Sequence, residues 1–452
     1  MALAVRLHDD VRVAPVVVRA GRVLRLSPAA RSLLDGREVE ATDPARAALV
    51  ERLLDLDLAR VVGGRATLPL DLLTVVVPVH DDARRVDRLL AALAGVRVVV
   101  VDDASPDGAA LDDVVRRHGA ELLRLEVNRG PAAARNTGLR SVTTPYVAFV
   151  DADVVVTPET LQELLGELAD PGVAAGAPRV RTRHGRRWFE RYEDARGSLD
   201  LGPASATVRT MSPVTYLPSA CLVARADALA DGFDERLMAG EDVDLVWRLL
   251  ADGRRVRYRA DVHAWHDHRT TVRGWLGRKV TYGRSAAPLA RRHGATVAPA
   301  VLSVPSAALA VAAAAQRRWS LPAVVALLVR SYVDVGRALP DTTPRQRVEL
   351  VAFGVRTTAS QVAALLLRHW WPLAVVLSTR SARIGRLVAV AAVADAVMAH
   401  RKTRPALDPV RFAVGRRLDD LAYGAGVWSG AVRERSLRCL LPTRPPRTAR
   451  PS

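Results

Sequence analysis

The middle of the chain alternates continuous apolar runs with apolar stripes at helical spacing. Residues 73–79, 96–101, 122–127, 146–150 and 173–177 are runs of mainly Val, Leu, Ala and Phe, and residues 83–94 place Val86, Leu89, Leu90 and Leu93 on one helical face. Further helices are expected near 109–118, 131–140 and 159–168. Strands that lack polar alternation are buried on both faces, which predicts a parallel sheet wrapped by helices. Ligands of such sheets sit at the carboxyl ends of the strands.

The pattern differs on either side of this region. Residues 16–20 and 23–26 are short β-rich runs joined at Gly21-Arg22, which reads as a hairpin. Ser27-Pro28 and Asp43-Pro44 each supply an N-cap followed by proline, and Leu49, Val50, Leu53 and Leu56 line the second helix they predict. Residues 1–70 therefore read as a small winged-helix-like α+β domain, followed by an α/β domain over 71–295. Residues 297–315 contain no charge over nineteen positions, long enough for a membrane-spanning helix. Later apolar stretches are short or broken, 362–377 by Arg368 and His369, although Trp370 and Trp371 suit a membrane interface. Residues 296–400 are thus expected to be membrane-associated helices, with one span and interfacial segments. A basic, proline-rich tail follows over 401–452, its last dozen residues expected to be disordered.

Composition narrows the partners. The 452 residues imply more than one domain, and the formal charge of +18 invites an anionic partner. Only Lys279 and Lys402 are lysines, and arginines are dispersed through every segment, which argues against a nucleic-acid patch and for anionic lipid or nucleotide phosphate. Cys221 and Cys439 have no metal-ligand spacing, in keeping with a reducing compartment. Arg6, Asp9, Asp10 and Arg12 interrupt the first residues, so no signal peptide is expected and the amino-terminal part is placed in the cytoplasm.

Acids gather where the predicted strands end. Asp151 and Asp153 follow the 146–150 run two positions apart, so in an extended chain both carboxylates leave one face and need a cation between them. Pro78-Val79-His80-Asp81-Asp82 and Asp102-Asp103 end two other strands, where a carboxylate can accept from a nucleobase or ribose. No G-x-G-x-x-G follows the first strand and no P-loop exists, which excludes the common dinucleotide and P-loop chemistries. Gly130-Pro131 opens a helix whose amides and dipole face the same edge, with Arg135 and Asn136 one turn further in reach of phosphate or ribose. Hard oxygen ligands at Asp151 and Asp153 favour Mg²⁺ or Mn²⁺ bridging to a diphosphate. Glu241 and Asp242 begin a helix downstream, where a base for a hydroxyl would stand across the cleft.

These landmarks, in this order over about 200 residues, resemble the inverting family 2 glycosyltransferases of the GT-A fold. The resemblance implies a UDP-sugar donor whose nucleoside is contacted by Pro78, His80, Asp81 or Asp82, and Asp103, with Arg135, Asn136 and Asp151 toward its ribose and diphosphate. It also implies a metal at Asp151 and Asp153 and a base at Asp242, with Glu241 the alternative. Some relatives use a histidine at the position of His266 as a third metal ligand. His80 departs from the Tyr-Asn common after the strand proline, and Gln316-Arg317-Arg318-Trp319 is one residue short of the Q-x-x-R-W of processive synthases, so it reads as a chance cluster.

Residues 1–70 resemble peptide-recognition domains of the pyrroloquinoline-quinone D type. The whole arrangement resembles family members that glycosylate a peptide-derived redox cofactor precursor, which implies β-linked glucose from UDP-glucose at the cytoplasmic face of the cell membrane. A polyprenyl phosphate or other lipid acceptor, and a non-catalytic membrane scaffold, are the alternatives.

Overall fold

The computed structural model describes residues 4–19, 22–62, 67–182, 185–268 and 271–445, in two compact units. One unit contains the amino-terminal residues to Gly63, Val297–Met398 and the segment from Leu437. The other comprises Gly64–Thr296 and Ala399–Ser436.

In the first unit, β1 (Ala4–Leu7) lies between two antiparallel partners. A second antiparallel pair, β2 (Val16–Arg19) and β3 (Arg22–Arg25), is the expected hairpin, although its turn residue Gly21 lies outside the described residues. Ser27 caps α1 (Pro28–Leu33) through the Ala30 amide. The partners of β1 are β4 (Glu38–Glu40) and β5 (Ala59–Val62), two strands too short to show in the apolar pattern. Asp43 caps α2 (Pro44–Asp55), whose Val50, Leu53 and Leu54 close a core with Val5, Leu7, Val17 and Leu58.

The second unit holds the α/β layers. Apolar β6 (Leu73–Val79), β7 (Arg97–Asp102), β8 (Glu121–Arg124) and β9 (Tyr146–Val150) are parallel, in the order β8-β7-β6-β9. Between them run α3 (Ala83–Ala92), α4 (Gly108–His118) and α5 (Pro131–Ser141). Next come β10 (Val154–Val155), α6 (Pro158–Leu165), β11 (Val173–Thr182), α7 (Trp188–Arg196), β12 (Ala206–Thr207) and β13 (Cys221–Arg225). Then follow α8 (Glu241–Ala251) and β14 (Arg255–His266). The sheet is mixed where the apolar pattern implied parallel strands throughout. β13 lies between β9 and β11 and is antiparallel to both. β13 therefore starts at the carboxyl edge and runs back from it.

Helices α9 (Val272–Arg284) and α10 (Ala286–His293) complete the contiguous part of this unit. In the region expected to be hydrophobic, α11 (Val304–Ala314) has only 11 residues. The span expected over 297–315 is not a single helix, because Pro299 stops the preceding short turn and Ser303-Val304-Pro305 caps a new start. α12 (Ser320–Ala338) and α13 (Pro344–Ala364) follow, and a π-helical turn extends α13 to His369. Among the described residues, Pro344–His369 is the one helix long and apolar enough to cross a membrane. Trp370 donates its indole N–H to the Leu440 carbonyl at 2.8 Å.

The chain continues through α14 (Trp371–Arg380), α15 (Ala382–Thr403) and α16 (Pro409–Arg433). Residues 409–433, expected in a tail, thus form a capped helix against α9. The crossing is so close that a Cβ at Gly283 would lie 2.1 Å from the Tyr423 carbonyl oxygen, and one at Gly426 2.1 Å from that of Val280. Buried Lys279 joins the layers, reaching Glu193 at 2.9 Å, Asp419 at 3.2 Å and Ser198 at 2.7 Å. Of the last dozen residues, those beyond 445 lie outside the described residues.

Candidate active site

The carboxyl edge of β6, β7 and β9 carries the predicted acids. Asp102, one of the strand-end acids expected to face a nucleoside, is instead fully buried and structural: Arg124 Nε meets its Oδ2 at 2.7 Å and the Ser105 amide its Oδ1 at 2.9 Å. Burial raises its pKa, but the bonds from Ser105 and Arg124 outweigh this and hold it below the ordinary value. Asp103 accepts the Arg129 and Gly130 amides, each at 2.7 Å. Asp103 thereby fastens the 128–130 loop that leads into α5.

His80 Nδ1 lies 2.9 Å from the Asp103 carbonyl oxygen, and the Asp81 amide donates to Ser105 Oγ at 2.8 Å. Asp81 itself is exposed and sits at φ +57°, while Asp82 caps α3 through the Arg85 amide. Pro78 lies within β6 opposite Val101. Beside them opens a cleft of about 390 Å³ lined by Ala104, Ser105, Arg124, Leu125 and Glu126.

Asp151 and Asp153 are not on an extended face. β9 ends at Val150, the Val154 amide turns back to the Asp151 carbonyl at 2.9 Å, and the chain reverses into β10. That reversal has a consequence for the site. β10 pairs Val154 with His266 of β14, which brings His266 Nε2 to 3.1 Å from Asp153 Oδ2.

Arg135, expected to reach the donor, is buried at 3% exposure. Its guanidinium binds Asp151 Oδ1 at 2.6 Å and Glu241 Oε1 at 2.9 Å, so it ties the strand-end acids to the first turn of α8. Burial disfavours its charge, but Asp151 and Glu241 outweigh burial and raise its pKa. Asn136 is likewise committed: its amide nitrogen donates to the Phe233 carbonyl at 2.8 Å and its oxygen accepts the Phe233 amide at 2.8 Å. Both residues position loops and acids from beneath the site.

Gly240 precedes α8 at φ +81°, where an added Cβ would also meet Leu289 at 2.9 Å, so only glycine turns the chain freely into the helix here. Glu241 is buried against Arg135. Asp242 accepts its neighbour Val243's amide at 2.8 Å and the Ser219 amide at 3.3 Å. Burial, then the adjacent Glu241 charge, raise the Asp242 carboxyl to about 7, against the pull of Arg135 and the two amides. A carboxyl near 7 suits a base that takes a proton at neutral pH.

Asp244, fully buried, was not foreseen. It holds Arg248 at 2.9 Å, Arg292 at 3.1 Å and His293 at 2.8 Å, and so fixes α10 against α8. The Asp244-x-x-x-Arg248 spacing is the signal that would have found it.

Asp151, Asp153 and His266 offer carboxylate oxygens and an imidazole nitrogen, donor types that Mg²⁺ or Mn²⁺ accepts. Burial pushes the Asp151 carboxyl up, Arg135 opposes this, and the Asp153 charge adds to the rise, a like-charge penalty that a cation relieves. Among the described residues no three acidic, histidine or cysteine side chains already converge as a metal group.

A mixed sheet in this strand order, with acids at its carboxyl edge facing an acid pair at a helix start, defines a GT-A-type sugar transferase. Residues 74–233 match the family model described as Glycosyl transferase family 2. The chain is 41% identical over 436 residues to the Pre-mycofactocin glycosyltransferase of Mycobacterium tuberculosis, covering 93% of this chain and 92% of that one. It belongs to glycosyl transferase family 2, alongside that enzyme, and is a glycosyltransferase. It is also 33% identical over 190 residues to the Succinoglycan biosynthesis protein ExoU of Rhizobium meliloti, over 39% of this chain and 54% of the relative. Among solved structures it is similar to the mannosyltransferase PcManGT from Pyrobaculum calidifontis in complex with GDP-Man and Mn2+. That similarity has a TM-score of 0.38 at 19% identity and covers 66% of this chain and 90% of that one.

Proposed function

We propose that this glycosyltransferase moves glucose from UDP-glucose, in β-linkage and in several successive transfers, onto pre-mycofactocin, a peptide-derived redox cofactor precursor. The observation that carries the reading is the 41% identity to the Pre-mycofactocin glycosyltransferase over 93% of the chain, which extends well beyond the 74–233 family match. Its place is the cytoplasmic face of the cell membrane, supported by the apolar helix Pro344–His369.

The geometry of the site supports the following roles. Asp242 removes the proton from the acceptor hydroxyl, and that oxygen displaces the nucleoside diphosphate from the opposite face of the anomeric carbon in one step. Glu241, paired with Arg135, keeps a negative charge beside Asp242 and so keeps that carboxyl basic. Asp81, exposed beside the 390 Å³ cleft, and Asp103 accept from the nucleoside. Asp151, Asp153 and His266 would hold Mg²⁺ or Mn²⁺, which when bound neutralises charge on the departing diphosphate.

Mass spectrometry of water-soluble metabolites from a strain lacking the protein tests the acceptor: a hexose ladder on pre-mycofactocin should disappear. The exposed apolar helices favour a second reading, a polyprenyl phosphate acceptor. Sugar accumulating in a butanol-soluble product, with the water-soluble ladder intact, would establish it instead.

A further inference from the structure

The arginines of the helical region are gathered by a contact that the sequence does not announce. After α11 the chain turns at Gln316, which adopts φ +48°. The Gln316 side chain donates to the Arg383 carbonyl at 2.8 Å and accepts from Arg386 Nε at 3.3 Å. The turn itself is ordered, with the Arg317 amide on Ser320 Oγ at 3.0 Å and the Ser320 amide on the Arg317 carbonyl at 2.9 Å. The α11–α12 turn is thereby fastened to the first turn of α15. Arg317, Arg318, Trp319, Arg383 and Arg386 are all exposed around this junction. Gln316-Arg317-Arg318-Trp319, read from the sequence as a chance cluster, is half of an assembled basic and aromatic surface.

Two apolar helix faces start from the same junction. On α12, Leu321, Val325 and Val329 are exposed at four-residue spacing, Leu321 at 73%. On α15, Val390, Val393 and Val397 are exposed at helical spacing, Val390 at 66%. Nothing in the surrounding sequence balances the arginines, because residues 297–333 and 350–394 contain no Asp or Glu. Among the described residues no carboxylate pairs with any of the four arginines. An exposed tryptophan among arginines, at the head of outward-facing apolar stripes, matches the chemistry of a lipid headgroup layer above its acyl chains. A nucleic-acid ligand would match the charge and leave the apolar faces unexplained.

We propose that this junction binds the phosphates of an anionic phospholipid bilayer, with the exposed faces of α12 and α15 entering the acyl boundary. The inference rests on the membrane placement proposed above and adds its lipid selectivity and its contact residues. The test is co-sedimentation of the full-length protein with vesicles of phosphatidylcholine, with and without phosphatidylglycerol. The protein should prefer the anionic vesicles, and added salt should release it from them. Joint replacement Arg317→Glu, Arg318→Glu, Arg383→Glu and Arg386→Glu should weaken binding to the anionic vesicles by at least about tenfold, and leave any binding to neutral ones unchanged. Trp319→Phe should remove part of the fluorescence blue shift seen on binding.

Equal binding of the native protein to both vesicle types would overturn lipid selectivity while leaving the membrane placement standing. Binding to neither would overturn both. The salt titration needs no variant, so salt-insensitive binding would overturn the proposal even if the quadruple replacement failed to fold. None of the four arginines belongs to the catalytic unit, so release of UDP from UDP-glucose serves as the folding control.

Discussion

Replacing Asp242 with Asn separates the chemical role of this carboxyl from its effect on stability. In the folded chain Asp242 titrates at about 7 and, once unfolded, near 3.8. A raised carboxyl favours the folded state most at low pH, and this contribution is lost as pH rises through about 7. The shift corresponds to about 4 kcal/mol at most. Water reaching the carboxyl reduces that figure, and Asn offers one acceptor oxygen where Asp242 offers two, to Val243 and Ser219. The expected net gain for Asp242→Asn is therefore about 1–2 kcal/mol at pH 8, shrinking toward pH 5. Thermal unfolding of both proteins at the two pH values measures it. Transfer should meanwhile fall by about 10²–10⁴-fold, and the native rate should rise with pH through about 7. A variant no more stable than the native protein at pH 8, or a gain equal at both pH values, would refute the burial argument.

Other perturbations probe the supports of the site. Arg135→Ala leaves Asp151 and Glu241 without their shared cation and should cost about 3–5 kcal/mol in urea unfolding, with Arg135→Lys intermediate. Gly240→Ala forces a side chain into a left-handed conformation against Leu289, so about 1–3 kcal/mol of stability and a measurable part of kcat should be lost. Asp151→Ala with Asp153→Ala should abolish Mn²⁺-dependent binding of UDP-sugar in calorimetry, and unchanged metal dependence would remove both residues from the metal site.

Much of the catalytic unit was legible because its signals are local. Buried strands read as apolar runs, acids follow their ends, and Gly240-Glu241-Asp242 marks a helix start. What escaped were contacts set by distant pairing. His266 meets Asp153 because β10 reverses onto β14, and Asp151 leaves the strand at a turn where an extended reading put both acids on one face. Arg135 and Asn136 have the chemistry of ligand-binding residues, and only burial shows that they are spent on Asp151, Glu241 and the 233 loop. The helical region misled for a different reason. An uncharged stretch over 297–315 satisfies a hydropathy count, but two prolines divide it, and the longer apolar helix runs through Arg368 and His369. Helix α16 was hidden by the basic, proline-rich character of 401–452, and the close crossing with α9 shows what its glycines are for.

The most direct measurement of the central claim is the anomeric configuration of the product. The purified protein with UDP-glucose, Mn²⁺ and pre-mycofactocin should give a β-linked glucoside by NMR, and Asp242→Asn should give almost none. An α-linked product, or native activity in the Asp242→Asn protein, would contradict single displacement by this base.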